Sequence, residues 1–347
     1  MDFETFKSKY LKVPVQEYPN QRAGKKPLVT VRVLSYNHAP YVVQCLDSIL
    51  MQETDFDYEV LIAEDDSNDG TREICIDYAK RYPEKIRLLL NSRENNIHIN
   101  GKPSGLFNSV YSNFNIQSKY IALCETDDYW LDKFSLQKRV DVLEQNEDYV
   151  LCYHRIDWFL QESQTFKRNL PLFPLHSCEV DQEGMISKDV PTSTLMYRNH
   201  LIEKFDEKMK ETVCGDVILR GKLSEFGTAW YCADIKPSVY RQHKNGSYSG
   251  EDNETKFWNT TKARTYLIGY LSKKGQPTDK LEKTLSINYL YYFIQCLFKD
   301  RKLRLELLKE SKIYASSSRL SYSGYIINFL RYSLNVLKTK FIKTTTV

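Results

Sequence analysis

The chain is predicted to be an α/β protein: a mostly parallel sheet with helices on both faces and a helical region appended at the C-terminus. Three observations lead there. Short β-branched and apolar runs alternate with segments of helical spacing over the first half of the chain. Two of those runs stop abruptly at clusters of acids, Glu64-Asp65-Asp66 and Glu125-Thr126-Asp127-Asp128. From about residue 251 onward, helical periodicity alone remains.

Residues 1–26 read as a polar lead-in, and Met1–Tyr10 lacks the apolar stretch of a signal peptide. Leu28–Ser35 (LVTVRVLS) is continuously β-branched and apolar, as a strand covered on both faces must be. The turn Tyr36–Pro40 opens a helix to about Gln52, with Val42, Val43, Leu46, Ile49 and Leu50 on one face. Tyr58–Ala63 is a second strand, Thr71–Tyr82 a helix and Ile86–Leu90 a third strand. After the polar loop Asn91–Gly101, a helix is expected near Leu106–Ile116 and a strand at Tyr120–Cys124. Three further helices are predicted at Lys256–Leu271, Leu281–Phe298 and Lys302–Tyr314. The expected division is a lead-in (1–26), a main α/β domain (27–250) and a helical C-terminal region (251–347).

Composition narrows the function classes. With 41% hydrophobic and 27% charged residues over 347, the chain is a folded protein of ordinary make-up. A formal charge of +4 over this length says little about nucleic acid, since a basic bias matters only where it is localised, and no nucleic-acid partner is expected. None of the eight cysteines forms a C-x-x-C pair, which argues against a zinc knuckle or a thioredoxin-like motif. Cys124 and Cys152 sit in apolar runs, as reduced buried thiols do, and a cytoplasmic location is expected. The longest apolar stretch, Leu285–Phe298, is interrupted by Ser286, Asn288 and Gln295. It falls short of the ~20 residues a membrane span requires.

Parallel sheets collect ligands at the carboxyl ends of their strands, and that is where the acids lie. Asp65-x-Ser67-x-Asp69-Gly70 begins like a calcium loop, but its twelfth position is Ile76, where a bidentate acid is needed. A dinucleotide fold needs G-x-G-x-x-G after the first strand, and the sequence there is SYNHAPY. Asp69 reads as the cap of the next helix, Asp65 as a ligand-binding group. Adjacent carboxylates such as Asp127 and Asp128 are costly at a strand end unless compensated. A Mn²⁺ or Mg²⁺ ion bridging a diphosphate would compensate them; a solvated turn before a helix start at Lys133 is the alternative.

Taken together, SYNHAPYVVQCLDSILMQ, EVLIAEDDSNDGT and KYIALCETDDYW resemble the inverting GT-A glycosyltransferases of family 2, particularly bacterial enzymes that build cell-surface glycans. The likeness spans roughly residues 27–245. It implies that Ser35, Tyr36, Asn37, Glu64 and Asp65 hold the nucleobase end of a nucleotide-sugar, with UDP the expected nucleotide. The family's D-x-D element corresponds to Thr126-Asp127-Asp128, with Asp127 on the ribose and Asp128 on the metal, Mn²⁺ or Mg²⁺. Cys214-Gly215-Asp216 resembles the element that carries the general base, here Asp216; from the residues alone, Asp216 is a helix N-cap. The stretch Tyr240–Ser247 (YRQHKNGS) resembles the loop that closes over the diphosphate. In it Arg241 or Lys244 would neutralise phosphate, and His243 would either add a metal ligand or stand as an exposed structural histidine. Pro191–Arg198 resembles a strand on the acceptor side.

The activity implied is one inverting displacement onto a hydroxyl of a glycan or lipid-linked oligosaccharide, in surface polysaccharide biosynthesis such as lipopolysaccharide or capsule. Processive synthases carry a Q-x-x-R-W motif that is not found, so one sugar per encounter is expected. A sugar nucleotidylyltransferase would need a glycine-rich basic loop where SYNHAPY stands. A non-catalytic GT-A-like scaffold is opposed by the joint presence of Asp65, Asp127, Asp128 and Asp216. The tail sets Arg319, Arg331, Lys338, Lys340 and Lys343 beside Tyr325, Phe329 and Phe341, the pattern of a basic amphipathic surface helix. The apolar faces of the C-terminal helices read either as ordinary core or, with this tail, as a peripheral attachment to the inner face of a membrane.

Overall fold

The computed structural model describes residues 1–18, 26–99, 101–168, 173–187, 190–211, 214–246, 249–296, 301–318, 324–325 and 327. Its centre is a nine-stranded sheet in the order Gln16–Tyr18, Ile86–Leu90, Tyr58–Glu64, Val29–Ser35, Tyr120–Glu125, Met196–Arg198, Tyr149–His154, Thr228–Cys232, Cys178–Val180. Four strands, from Ile86–Leu90 to Tyr120–Glu125, are mutually parallel. Tyr149–His154 and Thr228–Cys232 run the same way, because Met196–Arg198 is antiparallel to both of its neighbours. Six of the nine strands thus share one direction. The sheet is mixed but mostly parallel, as expected.

Side-chain alternation along these strands builds two cores. Val29, Val31, Val33, Val60, Ile62, Leu88, Ala122 and Cys124 face one way, onto helices Val42–Leu50, Thr71–Arg81 and Ser135–Gln145. Leu61, Leu89, Ile121 and Leu123 face the other way, onto helix Leu106–Phe114. Burial on both faces explains why these strands read as unbroken apolar runs. All eight cysteines are free thiols, and seven are buried.

The first residues do more than lead in. Phe3–Tyr10 is a helix capped by Asp2, whose carboxylate accepts from the Thr5 amide at 2.9 Å. Its Phe6 is fully buried among Tyr10, Phe107, Phe114 and Phe205. Gln16–Tyr18 then adds the edge strand, antiparallel to Ile86–Leu90. The sequence signal was hidden because the helix buries a single narrow aromatic stripe between charged residues.

The C-terminal helices are Asn253–Lys273, Asp279–Gln295 and Arg301–Ser317, close to their predicted spans. The first packs on helix Gly215–Leu223, where a Cβ added at Gly221 would lie 2.3 Å from Leu267 Cδ2. Among the described residues no helix is long and apolar enough to cross a membrane. The basic tail from Arg319 onward lies outside the described residues, apart from Gly324, Tyr325 and Ile327.

Candidate active site

Strand register brings the two acidic clusters together. Ser35 is paired with Glu64, and Leu34 with Glu125, so three adjacent parallel strands end at one edge of the sheet. The loops leaving that edge are backbone-strained: Asn37 (φ 52°) and Asp66 (φ 62°) adopt left-handed conformations, which Asn and Asp tolerate best. Asn37 ties the two loops to each other. Its N–H donates to Ser67 Oγ at 2.9 Å, and its Oδ1 accepts from the Asn68 N–H at 3.1 Å. Asp69 sits just before the cap position of the following helix, which is Gly70; its Oδ1 accepts from Thr71 N–H at 3.0 Å and its Oδ2 from the Ala39 amide at 3.1 Å. Its role is structural, but one residue ahead of the cap its sequence suggested.

At one end of this edge lies a pocket built on Asp65. Its Oδ2 accepts from Arg93 Nη1 at 2.9 Å and Asn96 Nδ2 at 3.1 Å, and the residue is only 3% exposed. Burial pushes its carboxyl up to about 6, against the opposing pull of Arg93. The Arg93 guanidinium stacks over the Tyr36 ring, 4.0 Å from its centroid, while Tyr36 remains exposed. A planar, hydrogen-bonding ligand edge fits such a place. Glu64, by contrast, is fully buried and accepts from the Ser67 and Asp66 amides at 2.7 and 3.2 Å. It shapes the loop rather than presenting a free carboxylate. Ser35 is likewise buried, and its carbonyl receives the Asp65 amide at 2.9 Å.

The other end centres on Asp127. Its Oδ2 lies 3.1 Å from His243 Nε2 and 3.9 Å from His38 Nε2. One ligand atom from each of these three residues falls within 4.8 Å of the others, the grouping among the described residues that could hold a metal ion. Adjacent ligands on a small divalent ion are typically ~3 Å apart and opposed ones ~4 Å, so the residues fit such an ion. Hydrogen bonding from His243 and the charge it shares with His38 hold the Asp127 carboxyl low in spite of burial, while burial pushes His38 down.

Asp128 turns the other way. It is buried, and its Oδ1 accepts from the Arg241 main-chain N–H at 3.0 Å. Burial, then the neighbouring Asp127, raise its carboxyl well above the usual range. The motif reading put the cation on Asp128 and the ribose on Asp127; the grouping among the described residues that could hold a cation contains Asp127, with His243 and His38. The reason lies in the turn that follows the strand: Glu125 is the last strand residue, the Asp128 N–H returns to Glu125 O at 3.0 Å, and the Arg241 amide then takes the Asp128 carboxylate. Glu125 is pushed up to about 7 by burial, with Arg32 opposing and Asp127 and then Asp216 adding to the rise.

Arg241 also departs from expectation. Its Nε donates to Asp127 O at 3.0 Å, Nη1 to Gln161 at 2.7 Å and Nη2 to Gln44 at 2.6 Å. Tyr41, Tyr129 and Phe159 surround the guanidinium. It rivets the strand Ser238–Gln242 beneath the acidic loop, so its guanidinium is engaged by protein groups, whereas Lys244 is exposed. After it the chain folds back tightly: a Cβ at Gly250 would lie 2.2 Å from the Lys244 carbonyl oxygen. Ser247 lies outside the described residues.

Asp216 sits in the first turn of helix Gly215–Leu223, whose cap position is Cys214, so the cap reading does not describe it. Its carboxylate is partly exposed, 3.7 Å from the buried Arg220 guanidinium, and the helix N-terminus favours its charge. Its field reaches Glu125, which joins it to Asp127. The acceptor-side segment forms a short 3₁₀ turn, Thr192–Thr194, then the central strand Met196–Arg198. Ser193 O there accepts from Trp130 Nε1 at 2.8 Å. His38, Arg93, Asn96 and Glu125 are the residues that sequence reasoning missed. Of these Glu125 was visible only as one of the acids closing its strand, and His38, inside SYNHAPY, as a histidine at a strand's carboxyl end.

Comparison with known proteins follows the same lines. A family model described as glycosyl transferase family 2 matches residues 30–206, just over half of the chain. The protein Rv1520 of Mycobacterium tuberculosis is 29% identical over 229 residues, 65% of this chain and 62% of that protein. The uncharacterized glycosyltransferase alr2836 of Nostoc sp. is 27% identical over 180 residues, 51% of this chain and 52% of that protein. The chain thus spans less than two thirds of the length of these relatives. Among solved structures, S. aureus TarS 1–349 in complex with UDP-GlcNAc matches with TM-score 0.60 at 14% identity, covering 91% of this chain and 92% of that one. Mannosyltransferase PcManGT of Pyrobaculum calidifontis, with GDP-Man and Mn²⁺, matches with TM-score 0.51 at 16% identity, covering 94% and 92%. At such identities the likeness establishes the fold, GT-A.

Proposed function

The chain belongs to glycosyl transferase family 2, and from that premise we propose that it is a metal-dependent inverting glycosyltransferase moving one sugar from a nucleotide-sugar to a hydroxyl acceptor. The observation that carries the reading is the meeting, at one sheet edge, of the Asp65–Arg93–Tyr36 pocket with the Asp127–His243–His38 cluster. A nucleoside diphosphate has a planar base at one end and a doubly charged pyrophosphate at the other, and the two ends of this edge match it.

In this account Asp65, with Arg93 and Asn96, takes the polar edge of the base, and Tyr36 takes its flat face. Asn37, Glu64 and Ser35 hold the two loops in the shape this needs. Asp127 and His243 hold a divalent cation, Mn²⁺ or Mg²⁺. When bound, the cation supplies Lewis-acid stabilisation of the departing diphosphate. Asp216 accepts the proton of the attacking hydroxyl, and one displacement inverts the anomeric centre. Glu125 is a second candidate for that proton, since it titrates near neutrality between Asp127 and Asp216.

The structural relatives that hold UDP-GlcNAc and GDP-Man with Mn²⁺ support a sugar nucleotide as donor; UDP is the nucleotide we propose. The acceptor is a glycan or lipid-linked oligosaccharide of the cell surface, reached from the cytoplasmic side by a peripheral protein. The test is nucleoside diphosphate release from a panel of sugar nucleotides with Mn²⁺. Release from one donor by the wild type, lost in Asp127→Ala, supports the reading; no release from any donor sinks it.

A further inference from the structure

We propose that His38 is a third protein ligand to the cation, that Thr126 fixes the imidazole tautomer this requires, and that the site therefore selects Mn²⁺ over Mg²⁺. The inference rests on the transferase reading above and sharpens its metal site.

The argument is a count of protons. Thr126 Oγ1 carries one hydrogen, and it donates that hydrogen to the Leu34 carbonyl at 3.1 Å. The same oxygen lies 2.6 Å from His38 Nδ1. With its own proton committed, Thr126 receives the second bond, so His38 Nδ1 carries the N–H. The neutral ring then has a bare lone pair at Nε2. That atom sits 3.9 Å from Asp127 Oδ2, an acceptor facing an acceptor. Two acceptors this close are relieved by a cation or a hydrogen-bond donor between them, and the ligand set around this space suits a cation. The third group is already there: His243 Nε2 is 3.1 Å from the same carboxylate oxygen, and the two imidazoles meet nearly edge to face at 80°.

Metal-bound histidines characteristically donate their other ring N–H to a fixed acceptor, which sets tautomer and orientation. The path His38 Nδ1–H to Thr126 Oγ1, and Thr126 O–H to Leu34 O, is such an arrangement. It also explains why a threonine stands between Glu125 and Asp127: the hydroxyl both donates and accepts.

Two imidazoles and one carboxylate form an N₂O donor set. Imidazole suits first-row transition ions, whereas Mg²⁺ prefers oxygen ligands and sheds water reluctantly. Diphosphate oxygens remain to fill the open positions. Because His38 lies on the loop that carries Tyr36, the ion also links the base pocket to the loop that carries His243.

The test uses the whole protein labelled with ¹⁵N-histidine and Zn²⁺ as a diamagnetic probe, read by long-range ¹H–¹⁵N spectra of its six histidines. In metal-free protein His38 is expected as the Nδ1–H form, and Zn²⁺ should move the Nε2 signals of both His38 and His243. Free-Mn²⁺ EPR titration, with no donor present, should show affinity falling about 10- to 100-fold in His38→Ala. Thr126→Val should weaken binding about 10-fold, and Thr126→Ser should restore it. Tenfold excess Mg²⁺ should leave bound Mn²⁺ in place. An unmoved His38 Nε2 signal on Zn²⁺ binding, wild-type Mn²⁺ affinity in His38→Ala, or displacement by Mg²⁺ overturns the inference and leaves the transferase reading standing. A wild type that binds no Mn²⁺, even with UDP added, removes both.

Discussion

Replacing Arg93 by alanine tests the base pocket quantitatively. Arg93 Nη1 lies 2.9 Å from Asp65 Oδ2. At an effective dielectric of about 20, a pair at that separation attracts by roughly 6 kcal/mol. The Arg93 side chain is 31% exposed, and solvent screening reduces what is lost on deletion to about 1–2 kcal/mol. At 1.36 kcal/mol per unit, that moves the Asp65 carboxyl from about 6 to roughly 7. The direction follows from the charge. Burial has raised this carboxyl, Arg93 opposes the rise, and removing the cation lets it climb further. The ionised form is the one that accepts a hydrogen bond from a base N–H, so nucleotide affinity should increase as pH rises through the Asp65 value. The assay is calorimetric titration of UDP with Mn²⁺ between about pH 5 and 8.5. The wild-type midpoint is expected near 6, and that of Arg93→Ala roughly one unit higher. At pH 6 the variant should also bind several-fold more weakly. Superimposable profiles would refute the assignment of Asp65 and Arg93 to the nucleotide.

Asp216→Asn should lower the transfer rate by about 10²- to 10⁴-fold while leaving UDP affinity within a factor of two or so; a larger loss in Glu125→Gln would move the proton acceptor to Glu125. Phe6→Ala should cost about 3–5 kcal/mol in urea unfolding, because a fully buried ring leaves the aromatic cluster of Phe107, Phe114 and Phe205. A loss below about 1 kcal/mol would show that the first helix is not part of the core. Deleting residues 320–347 should reduce binding to anionic liposomes, and unchanged binding would remove the proposed membrane contact.

The strands and most helices were legible because two-sided burial leaves unbroken apolar runs such as VTVRVLS and YEVLIAE, and helical periodicity marks segments such as Val42–Leu50, where Val42, Leu46 and Ile49 face inward as expected while Val43 is exposed. Glu64, Asp65, Asp127 and His243 were legible as a neighbourhood, since acids that close parallel strands meet at one edge. Their individual duties were not. Whether an acid faces ligand or protein depends on partners far away in the chain: the Arg241 amide takes Asp128, and the Ser67 amide takes Glu64. Arg241 looked free for phosphate because Gln44 and Gln161, which occupy its guanidinium, lie on other elements. Arg93 and Asn96 were invisible for the same reason. They come from a polar loop without periodicity, and only folding sets them beside Asp65.

The central claim is that one ligand lies across this sheet edge, base at Asp65 and diphosphate at Asp127. Anomalous diffraction from crystals grown with UDP and Mn²⁺ tests it most directly. The account predicts a single manganese peak bonded to Asp127 and His243 and to the diphosphate oxygens, with the uracil ring beside Tyr36 and Arg93. Manganese on Asp128 or Asp216, or UDP bound away from Asp65, would contradict it.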